Sequence, residues 1–218
     1  MKKDSMMLKA YTAIKQMIIS NELAPGTVVN ESDLQEILGI GRTPIHEALL
    51  RLSVEQFVTI IPRRGIEICK FSPKIIHSIF DARLIIEPNT LRKTYSMLNV
   101  DWLVKMRKNF SLIRDEDMLS NMEGLQQYIQ YDSEFHSKIV TVLDNPYLSS
   151  LVDNYLNQLT AITIATTKIS ENSYTANEDH IVIIDHILSG DVDSACSVLE
   201  SHIRKCHIDV INTYLAAY

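Results

Sequence analysis

The sequence predicts a mainly α-helical protein, with a winged helix-turn-helix in residues 1–70 and an all-α helical bundle in residues 71–218. Three observations predict it. Between Glu31 and Gly65, two short helical patterns meet at a glycine turn and run into a hairpin with a basic tip. Beyond Phe71-Ser72-Pro73, apolar residues recur at helical spacing almost to the C-terminus. Only six Gly and six Pro occur in 218 residues, which leaves little room for a disordered linker.

Taken in order, residues 8–20 form an amphipathic helix with Leu8, Tyr11, Ile14 and Ile18 inward. Pro25-Gly26 punctuates the turn that follows. Leu34, Ile37 and Leu38 give the next helix one apolar stripe, and Gly39 or Gly41 supplies the positive φ that ends it. Thr43 is a good N-cap and Pro44 a favoured first helical residue, so the second helix of the pair starts there. Its inner face is Ile45, Ala48, Leu49 and Leu52. Phe57–Ile61 and Ile66–Cys69 read as strands, closed by Pro62-Arg63-Arg64-Gly65. Ser72 caps and Pro73 opens a long helix to about Leu98, which Pro88 is expected to kink or break. Asp101 caps a helix to about Leu119. Others run from Met122 to Leu143, from Asn145-Pro146 to about Ile169, from Ala176 to Leu188 and from Val192 to Tyr214. Glu171–Ala176 reads as a polar loop.

The formal net charge is −6. Residues 1–70 hold nine basic and eight acidic residues, against twelve and nineteen in residues 71–218, so the acidic excess lies wholly in the bundle. The faintly basic first part must draw any nucleic-acid affinity from local placement and from two copies acting together. No apolar run approaches the ~20 residues of a membrane helix. The N-terminus MKKDSMMLKA has no sustained apolar core or cleavage pattern. Cys69, Cys196 and Cys206 are too scattered for a disulfide framework, so a reducing cytoplasm is expected.

Arg42, Thr43, His46 and Glu47 cluster at the start and outer side of the second helix of the pair. A recognition helix meets base edges with its N-terminal residues, so polar groups belong there. Arg63, Arg64 and Gly65 form a hairpin tip suited to phosphates or the minor groove, and Arg51 completes the candidate DNA-binding set. Tyr11–Ile19, Leu23-Ala24-Pro25-Gly26, Asn30-Glu31, Arg42–Leu49 and Pro62–Gly65, in that order, resemble the N-terminal domain of GntR-family transcription regulators. The resemblance implies a homodimer on a double-stranded DNA operator. That family usually has Arg where this chain has His46, so its operator is expected to differ from the usual one.

The bundle holds a second constellation. Asp132 and His136 are four apart and share one helix face, while His180 and His202 lie on the last two helices. One carboxylate and three imidazoles suit zinc, nickel, iron or manganese. On an arbitrary helix such a pair is two solvated polar residues. Here Phe135, Ile139, Ile183, Ile184 and Ile187 make the surrounding faces read as buried, and buried polar groups need partners. Arg83 and Glu87, also four apart, read either as an internal ion pair or as a clamp for a carboxylate effector. His186 and His207 fall off the metal-facing sides, His77 has no partner in view, and Cys206 shares the face of His202. Asp132–His136, Asp144-Asn145-Pro146, Glu178-Asp179-His180 to Gly190-Asp191, and Ala195–His202 resemble the helical FCD domain of the FadR-type branch of the GntR family. The resemblance implies a divalent metal, zinc first, on Asp132, His136, His180 and His202, and an effector contact at Arg83.

These readings converge on a DNA-binding repressor, not an enzyme, controlled by a small carboxylate metabolite. The rival is a metal-dependent hydrolase whose open metal position activates water.

Overall fold

The computed structural model describes residues 2–113, 122–167 and 177–217. In chain order its elements are α1 (Lys2–Ile19), β1 (Val28–Val29), α2 (Glu31–Leu38), α3 (Arg42–Val54), β2 (Val58–Ile61), β3 (Gly65–Ile68), α4 (Pro73–Thr94), α5 (Val100–Leu112), α6 (Met122–Thr141), α7 (Pro146–Thr167), α8 (Asn177–Ser189) and α9 (Val192–Ala217). One turn of 3-10 helix, Tyr95–Met97, follows α4. Two compact units result, one on residues 1–72 and the other on residues 73–160 and 169–218, with residues 161–168 grouping with the first.

The first unit is a winged helix-turn-helix. Ala10, Ile14 and Ile18 of α1 pack with Ile45, Ala48, Leu49 and Leu52 of α3, all of them buried. Gly39 takes φ 63 at the end of α2, a conformation glycine adopts without a Cβ penalty. The sheet is antiparallel in the order β1-β3-β2, with Val28 opposite Glu67 and Ile61 opposite Gly65. The two-residue strand β1 was not anticipated from sequence. It forces a close approach: a Cβ on Gly65, whose φ is +113, would stand 2.8 Å from the Val29 carbonyl oxygen.

Several local expectations are corrected. Helix α3 begins at Arg42 with Gly41 as N-cap, not at Pro44 with a Thr43 cap. Pro44 is tolerated third in the helix because N–H groups of the first turn have no helical partner to lose. Leu8 is 51% exposed and Ile37 60%, so the inward faces of α1 and α2 rest on Ala10, Ile14, Ile18 and Leu34. Asn99, not Asp101, caps α5, its side chain accepting the Trp102 N–H at 2.9 Å. The parts of the expected helices and polar loop that fall on residues 114–121 and 168–176 lie outside the described residues.

The second unit is all-helical. Its core includes Ile76, Phe80 and Leu91 of α4, Phe110 of α5, Phe135 and Ile139 of α6, Ile183 and Ile184 of α8, and Leu199 and Ile203 of α9. Helix α9 packs on α4 and α8, α8 packs on α5, and α4 packs on α6. Helix α4 runs through Pro88 without the break that was one of the two outcomes expected there. An interior proline costs ~3 kcal/mol, whereas full burial of one large apolar side chain contributes ~1.5–3 kcal/mol. Burial of Ile76, Phe80 and Leu91 alone outweighs the penalty. Among the described residues no helix is long and apolar enough to cross a membrane.

Candidate nucleic-acid interface and metal centre

The first turn of α3 is displayed to solvent. Arg42 is 84% exposed, and Thr43 and His46 are exposed beside it. Glu31, which opens α2, reaches both side chains: its Oε1 is 2.7 Å from His46 Nδ1 and its Oε2 is 3.7 Å from Arg42 Nε. This link ties the starts of the two helices together and fixes the polar edge of α3. Arg63 and Arg64 are exposed at the β2–β3 tip, where Arg63 adopts φ 65. Arg51 is set apart from these groups in the last turn of α3. Its guanidinium lies 4.0 Å from the Tyr11 ring centroid, and its Nε donates to Glu55 at 3.1 Å. Tyr11 and Lys15 also donate to Glu55, each at 2.8 Å. Arg51 therefore joins α1 to α3 within the unit.

In the second unit, one face of α6 carries Asp132 and His136, α8 carries His180 and α9 carries His202. One ligand atom from each of the four lies within 4.8 Å of the others. The three histidines are fully buried, while Asp132 retains 23% exposure. His136 Nε2 is 3.2 Å from His180 Nε2, and Asp132 Oδ1 is 3.3 Å from His180 Nε2 and 3.6 Å from His136 Nε2. Donors held ~2.0–2.1 Å from one ion stand about 2.9 Å apart at right angles and about 3.4 Å apart tetrahedrally. Two of these spacings fall in that range, the third is 3.6 Å, and all four ligand atoms lie within 4.8 Å of one another, so the donor set is compact enough to close on a divalent metal. Phe110 stacks on the His180 ring at 4.3 Å and fixes its plane. Burial and the neighbouring His180 lower the pKa of His202 to about 3, which keeps it a neutral imidazole, the ligating form. Burial opposes ionisation of Asp132, but His136, His180 and Arg83 outweigh it and hold the carboxyl far below the usual range.

Glu87, open in sequence between an internal ion pair and an effector clamp, has both oxygens engaged by protein groups. Its Oε1 accepts from Arg83 Nε at 2.7 Å and from Tyr155 at 3.0 Å, and its Oε2 meets His136 Nδ1 at 2.5 Å. A carboxylate on Nδ1 fixes the His136 tautomer and turns the Nε2 lone pair toward the cluster. Burial would raise the Glu87 carboxyl, yet Arg83 and His136 pull it down to about 2. Arg83 is 3% exposed, and its Nη2 has no hydrogen-bond partner among the described residues. An orphaned buried guanidinium nitrogen is costly unless an anion reaches it. His202 has a looser carboxylate of its own, with Nδ1 3.6 Å from Asp179.

Spacing alone could not reveal Tyr155, which comes from α7. It also missed a pair across α4 and α9, where His77 Nδ1 and His207 Nε2 are 2.7 Å apart. His77 thus has a partner after all. His186 stays outside the cluster, 3.5 Å from Asp191.

The fold and site define a two-part molecule: a winged helix-turn-helix with an exposed recognition-type helix, and a helical domain with an Asp/His₃ cluster. Residues 7–68 match the bacterial regulatory proteins of the gntR family, and residues 78–205 match the FCD domain. The chain belongs to the GntR family of transcription regulators, in the branch that carries an FCD domain. An uncharacterized HTH-type transcriptional regulator from the TAR-I ttuE-ttuC' intergenic region of Agrobacterium vitis is 33% identical over 135 residues, covering 60% of this chain and 77% of that protein. The gluconate operon transcriptional repressor of Bacillus subtilis is 25% identical over 142 residues, covering 65% and 56%. The solved structure of McbR/YncC from E. coli shares the fold with a TM-score of 0.78 at 17% identity, covering 96% of this chain and 98% of that one. Family and relatives are regulators rather than enzymes, and the hydrolase expectation finds no support.

Proposed function

We propose that the chain is a cytoplasmic, homodimeric repressor that binds a double-stranded operator through residues 1–70 and is controlled by a small carboxylate bound in residues 71–218, which also carry the dimer contacts. Arg42, Thr43 and His46 meet base edges or phosphates from the start of α3. Arg63 and Arg64, with Gly65 shaping the turn, reach along the backbone or into the minor groove. Arg51 supports this face from within the unit. Two copies on paired half-sites multiply contacts that are weak singly. Repression is supported by the relative named as a gluconate operon repressor.

Asp132, His136, His180 and His202 hold a divalent metal, zinc before nickel, iron or manganese. The bound ion supplies a Lewis-acidic anchor for an anion. Glu87 and Tyr155 position His136 and Arg83, and Arg83 Nη2 grips the effector carboxylate. The observation that carries this reading is the convergence of four donors beside a buried guanidinium nitrogen with no partner among the described residues. The carboxylate regulates only if it binds the DNA-competent and DNA-incompetent arrangements unequally. A thermal-shift panel of mono-, di- and tricarboxylates on zinc-loaded protein tests it. At least one acid raises the melting temperature of the wild type and releases DNA in a gel shift, and Arg83→Ala abolishes both responses while retaining zinc. A panel without any response, or a response that Arg83→Ala keeps, would sink the effector assignment.

A further inference from the structure

His46 stands one helical turn after Arg42 on α3, and its side chain is 49% exposed. Its Nδ1 lies 2.7 Å from Glu31 Oε1. A carboxylate only accepts hydrogen bonds, so the proton at that contact belongs to Nδ1. The other oxygen of Glu31 is turned to Arg42, which leaves Oε1 to the ring. A neutral imidazole has one N–H and one lone pair. With the N–H engaged by Glu31, the lone pair sits on Nε2, on the far side of the ring from the carboxylate. The start of α3 therefore presents two kinds of chemistry. Arg42, 84% exposed, offers donors only, whereas His46 offers an acceptor. In the major groove the groups that donate to an acceptor are the exocyclic amines, N6 of adenine and N4 of cytosine. Guanine turns N7 and O6 there, both acceptors, and would set lone pair against lone pair.

We propose that His46 determines specificity as an acceptor: its Nε2 takes a hydrogen bond from the exocyclic amine of one adenine or cytosine in each operator half-site. Glu31 is the positioning residue that fixes the ring and its tautomer. The proposal rests on the operator reading above. An arginine at this place has five donors and no acceptor, and suits guanine instead.

A duplex selected from a randomised library by the full-length protein at pH 8, where an ordinary imidazole is neutral, supplies the probe. Each adenine of a half-site is replaced in turn by purine and each cytosine by 2-pyrimidinone, analogues that lack the exocyclic amine. Each guanine is replaced by 7-deazaguanine, which lacks the N7 acceptor. At one position the loss of the amine weakens wild-type binding about 10-fold and leaves the binding of His46→Ala unchanged, since that variant has already lost the bond. The analogue that responds tells adenine from cytosine. Nitrogen-15 signals of the His46 ring in the free protein report the tautomer directly. Nδ1 is protonated and Nε2 bare in the wild type, and Glu31→Ala loses that fixed state. A protonated Nε2, or a sensitivity to 7-deazaguanine that disappears in His46→Ala, overturns the acceptor assignment and leaves operator binding standing. Equal effects of every amine deletion on the wild type and His46→Ala overturn it as well. A wild type that selects no duplex overturns the operator reading itself.

Discussion

Replacing Glu87 by Gln removes one buried charge with little change in volume. The carboxylate accepts from Arg83 and Tyr155 on one oxygen and meets His136 on the other. Gln keeps an acceptor for the first pair, but its amide cannot accept from His136 Nδ1–H. Breaking a buried ion pair from one side costs ~3–5 kcal/mol, and the retained carbonyl puts this change near the lower end. The titration of Glu87 gives the same size. Its carboxyl lies at about 2 in the folded protein against an ordinary 4.5, which corresponds to about 3 kcal/mol of stability at neutral pH. For a chain of this size that lowers the melting temperature by about 6–12 °C. Zinc affinity falls about 10–100-fold, because His136 loses the carboxylate that orients it. The pH dependence has a definite sign. A depressed carboxylate pKa stabilises fully above its unfolded value and ceases to stabilise as pH falls through the folded one. The wild-type advantage over Glu87→Gln therefore holds above pH 4.5 and shrinks toward pH 2. Thermal melts of metal-free protein across that window, with zinc competition against a chromophoric chelator at pH 7, measure both effects. Equal melting temperatures and equal zinc affinity at pH 7 would refute the role given to Glu87.

Other perturbations act on separate parts. His180→Ala removes a ligand and its stack on Phe110, so the purified variant lacks the metal by elemental analysis; full metal content removes His180 from the donor set. Arg42→Ala lowers operator affinity by about 1–3 kcal/mol if the residue reads a base, and an unchanged gel-shift titration excludes it. Arg63→Ala with Arg64→Ala makes the slope of log affinity against log salt shallower by about 2 per protomer if both contact phosphates; an unchanged slope takes the tip off the DNA. Gly65→Ala strains a backbone at φ +113 and presses a Cβ within 2.8 Å of the Val29 carbonyl, so stability falls by ~1–3 kcal/mol or more; a neutral change would mean that the tip relaxes freely.

Much of this was legible in the sequence because it rests on local spacing. The Gly39 turn, the α3 core of Ile45, Leu49 and Leu52, and the basic tip follow from periodicity and from glycine's access to positive φ. Asp132 and His136 are visible as a pair four apart on one face, and flanking apolar residues mark His180 as buried. Long-range partners were not legible. Tyr155 meets Glu87 across 68 residues, and His207 meets His77 across 130. Arg83 and Glu87 were readable as a pair, but not the oxygen of Glu87 that turns to His136. The strand β1 was missed because two residues carry no period of their own. Pro88 does not break α4, because the local rule meets a helix whose buried face outweighs it.

Selection of binding sites from a randomised duplex library tests the central claim most directly. The wild type should enrich a two-fold symmetric motif whose half-sites lie about 10 base pairs, or a multiple of that, apart. The triple variant Arg42→Ala/Arg63→Ala/Arg64→Ala should enrich none. A wild type that enriches nothing, or a triple variant that enriches the same motif equally well, would contradict it.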